Sequence, residues 1–116
     1  MKNLVEEANV AVHITDDKGR TALRLAAGYG RLNTVKYLVE NTTASLTVED
    51  FYKELPIHAA ALWGRSQVVK YLVEKNPMSV NVKNSQGLTP LDFALEKDKT
   101  DVIQYLRANG GVTGKG

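Results

Sequence analysis

The sequence predicts an all-helical solenoid in which helix-turn-helix units stack side by side. Three segments, residues 21–40, 55–74 and 89–108, align without a gap at a constant offset of 34 residues. In each segment apolar residues recur at helical spacing, and a Gly or Asp interrupts the pattern between two short helices. A fixed period of this size indicates a stacked array, in which no single helix pair can bury its own apolar face.

The middle segment, LPIHAAALWGRSQVVKYLVE, is the one around which the chain is organised. Its first helix contains three consecutive alanines, Ala59 to Ala61, which leave little side chain between neighbouring backbones. We therefore expect this helix to pack closely against other helices on more than one side. The second helix carries the bulkier apolar residues, from Val68 to Val73.

These motifs resemble those of ankyrin repeat proteins. The family's T-P-L-H-x-A-A opening is present as LPIHAAA at residues 55–61 and less fully as TALRLAA at residues 21–27. The turn glycine of the family is found at Gly30 and Gly64, and its hairpin glycine at Gly19 and Gly87. The resemblance implies stacked helix pairs with projecting β-hairpin or turn loops, which are used mainly to bind other proteins.

The period and the resemblance together divide the chain. We expect a partial N-terminal repeat of a second helix and linker, two full repeats, a third repeat that acts as a C-terminal cap, and a flexible tail: residues 1–14, 15–48, 49–82, 83–110 and 111–116. The chain thus opens inside a second helix, which fits a native cap or a chain cut from a longer array. We favour the cut, because Met1 takes the place of Val35 in mid-pattern.

The composition is that of one soluble domain. Hydrophobic residues make up 43% of the 116 residues and charged residues 24%, and no Cys is present. No apolar run approaches the roughly 20 residues of a membrane span, and the N-terminus has acidic residues where a signal peptide needs an apolar core. We therefore expect a cytoplasmic or nuclear protein that is monomeric and does not insert into a membrane.

No pattern predicts catalysis. The only histidines, His13 and His58, lie 45 residues apart, and there is no Cys to pair with either. The acidic pair Asp16 and Asp17 falls on a turn, where carboxylates cap backbone N–H groups far more often than they bind metal. We predict no enzymatic activity, no catalytic or metal site and no cofactor.

The distribution of charge argues against nucleic acid as a partner. Fifteen basic and thirteen acidic residues alternate along the chain. Proteins that bind nucleic acid generally gather Lys and Arg on one face, and this sequence shows no such cluster. The expected partner is another protein.

Several residues have predicted structural roles. His58 is expected to hydrogen-bond the adjacent hairpin, and Arg24 occupies the equivalent position in the first repeat, which leaves that role in doubt there. Lys53 replaces the hairpin glycine, so it either changes the turn or carries strain. Tyr37, Tyr71 and Tyr105 form a regular ladder, expected to pack between second helices with the hydroxyl groups in water.

The resemblance implies a concave binding face, lined by the hairpins and by the exposed ends of the first helices. By register its residues are Asp17, Lys18, Arg20 and Tyr29 in the first repeat, Phe51, Tyr52, Glu54, Leu62 and Trp63 in the second, and Ser85, Gln86, Leu88, Glu96 and Lys97 in the third. Tyr29 and Trp63 should lie side by side, with Phe51 and Tyr52 just beyond. This face therefore has an apolar centre with charged flanks.

Two functions fit this pattern. The first is a protein–protein interaction module. The second is a structural or spacer segment of a longer ankyrin array, for example the cytosolic part of a membrane protein or channel, for which polar hairpin tips are expected. Large exposed apolar residues favour the first, although Phe51 and Tyr52 could instead cover the neighbouring hairpin and Trp63 could pack into the stack.

Overall fold

The computed structural model describes residues 15–42, 44 and 48–114. Its helices form three consecutive pairs: α1 (Ala22–Gly28) and α2 (Leu32–Asn41), α3 (Pro56–Leu62) and α4 (Ser66–Lys75), and α5 (Pro90–Glu96) and α6 (Thr100–Ala108). A short 3-10 helix, Pro77–Asn81, leads from the second pair to the third. Within these residues there is no β-strand, so the projecting loops are turns. The expected partial repeat at residues 1–14 lies outside the described residues.

The first helices of the three pairs form one continuous layer. Helix α3 lies between α1 and α5 and packs extensively against both. Ala59, Ala60 and Ala61 are completely buried there, which confirms that the alanine run allows close approach on two sides. The second helices contact one another much less. The array, about 51 Å in its longest dimension, is therefore tighter along the first-helix side, and we infer that this side is concave.

The hydrophobic core repeats with the period of the sequence. Equivalent positions in successive repeats contribute buried apolar side chains, each worth about 1.5–3 kcal/mol when fully buried. The buried sets are Leu23, Ile57 and Leu91 on the first helices, and Leu38, Leu72 and Leu106 on the second helices. Because every set spans all three pairs, the core is one row shared along the array.

Among the described residues, two other than glycine have positive φ angles. Lys53 has φ 61° at the position of Gly19 and Gly87, and Asp98 has φ 55° at the position of Gly30 and Gly64. The turn itself is unchanged, since the backbone N–H of Lys53 donates to the carbonyl of Asp50 at 3.0 Å, the same bond that Gly19 makes. Lys53 therefore adopts the left-handed conformation that glycine adopts at this position. This conformation is sterically unfavourable for a residue with a Cβ, so it destabilises the folded state.

Replacing Lys53 with glycine is expected to stabilise the protein. The left-handed conformation disfavours a residue with a Cβ, whereas glycine adopts it readily. After the larger unfolded-state entropy of glycine is allowed for, Lys53→Gly should raise the free energy of unfolding by about 0.5–1 kcal/mol. Urea denaturation measures this change. Lys53→Ala is the control and should give no gain; an equal gain in both variants would mean that loss of the lysine charge, not backbone strain, is responsible.

The C-terminal residues, expected as a flexible tail at 111–116, make defined hydrogen bonds over residues 111–114. The backbone N–H of Val112 donates to Asn81 Oδ1 at 2.9 Å, and its carbonyl accepts from Thr89 Oγ1 at 2.6 Å. The N–H of Gly114 donates to Asp92 Oδ2 at 2.7 Å. The expectation rested on the lack of apolar residues, but residues 111–114 are held by polar bonds to their backbone, which need none. Residues 115–116 lie outside the described part of the chain.

Candidate partner-binding face

The loops between repeats are built on the same side-chain turn three times. Asp16, Asp50 and Asn84 occupy equivalent positions, and the Oδ1 atom of each accepts hydrogen bonds from the backbone N–H groups two and four residues later at 2.8–3.0 Å. The N–H of Arg20 lowers the pKa of Asp16 below its usual value. Asp16 therefore caps backbone groups, as predicted.

Adjacent turns are joined by single backbone hydrogen bonds. The N–H of Phe51 donates to the carbonyl of Lys18 at 3.0 Å, and the N–H of Ser85 donates to the carbonyl of Tyr52 at 2.8 Å. These bonds align the three turns in a row. The predicted turn residues of all three repeats consequently lie along one edge of the array.

In the first repeat, the predicted residues are mostly exposed. Asp17 and Lys18 lie at the tip of the turn. Arg20 is half-buried, and its Nε lies 2.7 Å from Asp16 Oδ2. Tyr29 follows the last residue of α1 and is 69% exposed.

In the second repeat, three aromatic side chains are exposed: Phe51, Tyr52 and Trp63 by 72%, 51% and 51%. The Phe51 ring nevertheless covers Gly19, where an added Cβ would come within 2.5 Å of Phe51 Cδ1. Trp63 Cδ1 lies similarly over Gly28, at 3.5 Å from an added Cβ. One edge of the Phe51 ring and one edge of the Trp63 ring therefore contact the preceding repeat, and the rest of each ring is exposed to solvent.

The other two predicted residues of the second repeat point into the array. Glu54 accepts a hydrogen bond from Asn84 Nδ2 at 3.1 Å and lies 3.5 Å from Arg24 Nη2. Leu62 is half-buried and packs against the core. Their contacts connect successive repeats, so they contribute less free surface than the aromatic residues do.

In the third repeat, the predicted residues are polar or partly covered. Ser85 and Gln86 are exposed on the turn, Leu88 is half-buried, and Glu96 and Lys97 are exposed at the end of α5. The aromatic surface is thus confined to the first two repeats, and polar side chains flank it on the third.

His58 connects α3 to the segment that leads into the third repeat. Its ring is fully buried. Nδ1 accepts a hydrogen bond from the backbone N–H of Leu55 at 2.9 Å, so Nε2 carries the proton that is donated to the carbonyl of Val82, also at 2.9 Å. His58 was predicted to hydrogen-bond the adjacent hairpin, and its acceptor Val82 lies in the segment that leads directly into that turn.

The residues equivalent to His58 make the same connection by other means. Arg24 lies with Nη2 3.5 Å from Glu54 Oε1 and Nε 4.0 Å from Asp50 Oδ2, so the first repeat is linked to the second by charge. Asp92 Oδ2 accepts from the N–H of Gly114. Each first helix therefore uses this position to hold a segment at or beyond the end of its own repeat.

The stability of the protein is expected to fall with pH in the range where His58 titrates. Burial lowers the pKa of His58 below its usual value near 6.5, although the Val82 carbonyl and the charges of Glu54 and Asp50 oppose this. The unfolded chain thus binds a proton more readily than the folded one, so stability is full above about pH 6.5 and is lost as pH falls through the lower folded pKa. Melting temperatures measured between about pH 7.5 and pH 5 should show this decline.

The control variants for this pH dependence are His58→Gln and His13→Gln. The first should flatten the decline between about pH 6.5 and pH 5, because it removes the group that titrates. The second should leave the decline intact. If His13→Gln flattens the decline and His58→Gln does not, His58 is not the group responsible.

The tyrosine ladder differs in part from the expectation. Tyr71 is buried, and its hydroxyl donates to Glu40 Oε2 at 2.6 Å instead of lying in water. Burial and this hydrogen bond raise the pKa of Tyr71 to about 12. The Nζ atoms of Lys36 and Lys75 lie 5.8 and 5.5 Å from the centre of its ring. These residues belong to the second-helix side, away from the turns.

A cavity of about 310 Å³ lies between the first and second repeats on the first-helix side. Tyr29 and Trp63 both line it, so the two aromatic side chains come together as predicted. Arg20 lines it too. Sequence reasoning missed the other four lining residues, Arg24, Leu25, Gly28 and Arg65. The signal that could have found the cavity is Gly28, because the equivalent positions carry the larger side chains Leu62 and Glu96.

Arg65 closes one wall of this cavity. Its Nε donates to the carbonyl of Gly28, the last residue of α1, at 3.0 Å. A cation at the C-terminal end of a helix meets unpaired carbonyl groups and the negative end of the helix dipole, both of which favour it. The Arg65 side chain also covers Gly30, where an added Cβ would lie 2.7 Å from Arg65 Cδ.

The described part of the chain offers neither a metal centre nor a membrane-spanning helix. No group of three or more His, Cys, Asp or Glu side chains there is arranged to hold a metal ion. None of the helices described is long and apolar enough to cross a membrane.

The comparisons with known proteins agree with the repeat architecture. A sequence model of ankyrin repeats in three copies matches residues 1–84 and 43–113. Ankyrin repeats are generally protein–protein interaction modules and are typically non-catalytic. A comparison with curated proteins found none that matches the chain. The repeat match covers nearly the whole sequence, and the helix pairs are those of an all-helical solenoid: the chain belongs to the ankyrin repeat family.

Proposed function

We propose that this chain is a non-catalytic interaction module that binds a partner protein through the turns and the exposed ends of its first helices. The observation that carries this proposal is the exposure of four aromatic side chains on one side of the first two repeats. Tyr29, Phe51, Tyr52 and Trp63 are all at least half exposed. Grouped exposed apolar residues of this size are typical of binding surfaces.

The arrangement of these residues also resembles that of known interfaces. Aromatic and arginine side chains supply most of the binding energy in such surfaces, and they cluster at the centre with polar contacts around them. Here Tyr29, Trp63 and three arginines surround one cavity, while exposed polar residues such as Gln86 and Glu96 lie to one side. The face therefore has the composition of an anchor region with a polar rim.

The same exposure argues against the spacer role. A segment that only separates other parts of a longer array has no use for large apolar groups at the turn tips, which promote unwanted association. Phe51 and Tyr52 occupy a turn tip in the second repeat. A spacer remains the outcome if no partner depends on these side chains.

Truncation of the central aromatic residues is expected to weaken partner binding at least tenfold. The partner is first captured with the complete chain and identified by mass spectrometry. Trp63→Ala, Phe51→Ala and Tyr52→Ala are then compared by isothermal titration, since an interface anchor is typically worth about 2 kcal/mol or more on truncation. Tyr52→Ala is the cleanest of the three, because Phe51 and Trp63 also touch the preceding repeat.

The matched controls lie on the opposite helices and the turn between helices. Lys36, Lys70, Lys75 and Arg31 are exposed there, and their alanine variants should bind normally. Melting curves accompany every titration, because Trp63 packs against Gly28. A Trp63→Ala protein that binds normally once folded, together with normal binding by Tyr52→Ala, would place the partner surface elsewhere.

We further propose that this interaction takes place in the cytoplasm or nucleus. The support is the globular composition, with 43% hydrophobic and 24% charged residues. Fluorescence microscopy of the tagged chain in its own cells tests this, and secretion of the protein would contradict it.

A further inference from the structure

The cavity between the first two repeats differs from the cavity at the third repeat, which is lined by Leu88, Asp92 and Glu96, at the positions equivalent to Arg20, Arg24 and Gly28, and by residues 113–114. The first cavity is open above position 28 because that residue is glycine: an added Cβ there would meet Ala59 Cβ and Trp63 Cδ1, both at 3.5 Å. One repeat later, Leu62 fills the corresponding space. A Cβ at position 28 makes only ordinary contacts, so the glycine is not forced by backbone crowding. The space left by its missing side chain is therefore open for a ligand.

The walls of the cavity are cationic and aromatic. Arg20, Arg24 and Arg65 line it together with Tyr29 and Trp63, and no acidic residue does. At the equivalent positions one repeat later, Glu54 stands in place of Arg20 and His58 in place of Arg24. The charge of this cavity is thus a property of the first repeat and of its junction with the second, not of the repeat in general.

The three arginines differ in how far their charge is already balanced. Arg20 is paired with Asp16, and Arg24 lies near Asp50 and Glu54. The Nε–H of Arg65 donates to the Gly28 carbonyl. Among the described residues, no carboxylate lies within 4.0 Å of the Arg65 guanidinium. A guanidinium carries five N–H donors, so Arg65 has donors left for a ligand beside the aromatic rings.

Arg24 supplies a second sign of an unfilled site. Its Nε is inaccessible to solvent and has no hydrogen-bond partner within the described residues, because Asp50 Oδ2 lies too far away at 4.0 Å. A buried charged donor without a partner carries a free-energy cost. A negatively charged acceptor that enters the cavity would be attracted by the positive charge of Arg24.

We propose that this cavity binds a carboxylate side chain of the partner, from an acidic peptide segment in which Asp or Glu stands next to an apolar residue. This proposal rests on the interaction role proposed above and names the chemistry of that partner. The carboxylate accepts from Arg65 in the planar geometry that suits a guanidinium. The apolar neighbour packs against Tyr29 and Trp63. One guanidinium without a carboxylate partner matches one negative charge, which favours a carboxylate over a doubly charged phosphate.

The experiment is a selection of displayed random peptides on the complete chain. We expect enrichment of peptides that carry Asp or Glu beside a Leu or an aromatic residue. The best peptide is then synthesised together with its Glu→Gln or Asp→Asn analogue and with a phosphoserine analogue. Fluorescence anisotropy at low and high salt should show at least tenfold weaker binding of the amide analogue, and the difference should shrink as salt is raised.

Variants of the chain assign the effect to the cavity. Arg65→Gln should weaken the acidic peptide at least tenfold and leave the amide analogue nearly unchanged. The matched control is Lys99→Gln, since Lys99 covers Gly64 one repeat later in the way that Arg65 covers Gly30, and it should have no effect. Gly28→Leu fills the cavity without removing charge and should also abolish binding. Circular dichroism confirms that each variant is folded.

The outcomes separate this inference from the proposed function. If selected peptides depend on Trp63 and Tyr52 but show no acidic preference and no response to Arg65→Gln, the interaction role stands and the carboxylate site is wrong. If the phosphoserine analogue binds more than tenfold tighter than the carboxylate, the assignment of the ligand as a carboxylate is wrong. If no peptide loses affinity with Trp63→Ala or Tyr52→Ala, both proposals fail.

Discussion

A chain that ends before Thr89 is expected to lose most of its helical circular-dichroism signal. This deletion removes α5 and α6, whose residues Leu91, Phe93 and Leu106 are buried against the preceding repeat. The core is a single row shared along the array, so the loss of one helix pair uncovers the apolar face of the next. Stacks of this kind need roughly three repeats to be stable.

The control for this truncation is a chain that ends at Gly110. It loses the hydrogen bonds of Val112 and Gly114 but keeps every helix, so it should retain the helical signal with a modestly lower melting temperature. Cooperative unfolding of the shorter fragment at an unchanged temperature would contradict the stacked array. It would show instead that the first two helix pairs form an independent core.

His58→Ala is expected to lower the free energy of unfolding by about 2–4 kcal/mol. The substitution leaves the N–H of Leu55 and the carbonyl of Val82 without their partner, and an unsatisfied buried group costs about 1–3 kcal/mol. It also removes a buried ring that packs edge-on against Phe93 at 5.3 Å between centroids. The cavity left behind adds to the loss. Urea denaturation at neutral pH provides the measurement.

Partner affinity distinguishes this structural role from a binding role. The His58 ring has no exposed surface, so folded His58→Ala protein should bind its partner normally. Tyr29→Ala is the useful counterpart: its side chain is 69% exposed, and its loss should lower affinity with little change in stability. A His58→Ala protein that melts normally yet loses affinity would show that the role of His58 has been misassigned.

Much of the fold follows from the sequence because the repeat fixes the register. An offset of 34 residues places Asp50 beneath Asp16 and Lys53 beneath Gly19, so one turn predicts the next. The role of His58 followed in the same way, since its position in the motif determines which loop it reaches. The exposed positions of Tyr29 and Trp63 also follow from register, because both stand at the end of a first helix.

The features that the sequence did not predict depend on contacts between side chains of different repeats. The pairing of Arg24 with Glu54 brings together two positions that are 30 residues apart. Neither residue type by itself indicates which charged side chain will be its partner. The hydrogen bond from Tyr71 to Glu40 is of the same kind. The hydrogen bonds of the tail were also not predicted, because apolar content says nothing about backbone hydrogen bonds such as that from Gly114 to Asp92.

The central claim is that a partner covers the aromatic centre of the first-helix face, and the single tryptophan tests it most directly. Trp63 is the only tryptophan in the chain, so its indole N–H gives one signal in the ¹H–¹⁵N spectrum of the labelled protein. Titration with the unlabelled captured partner should shift or broaden this signal together with the amide signals of Phe51 and Tyr52, while the signals of α2 and α4 change little. Unchanged Trp63, Phe51 and Tyr52 signals, with shifts confined to the second helices, would contradict the account.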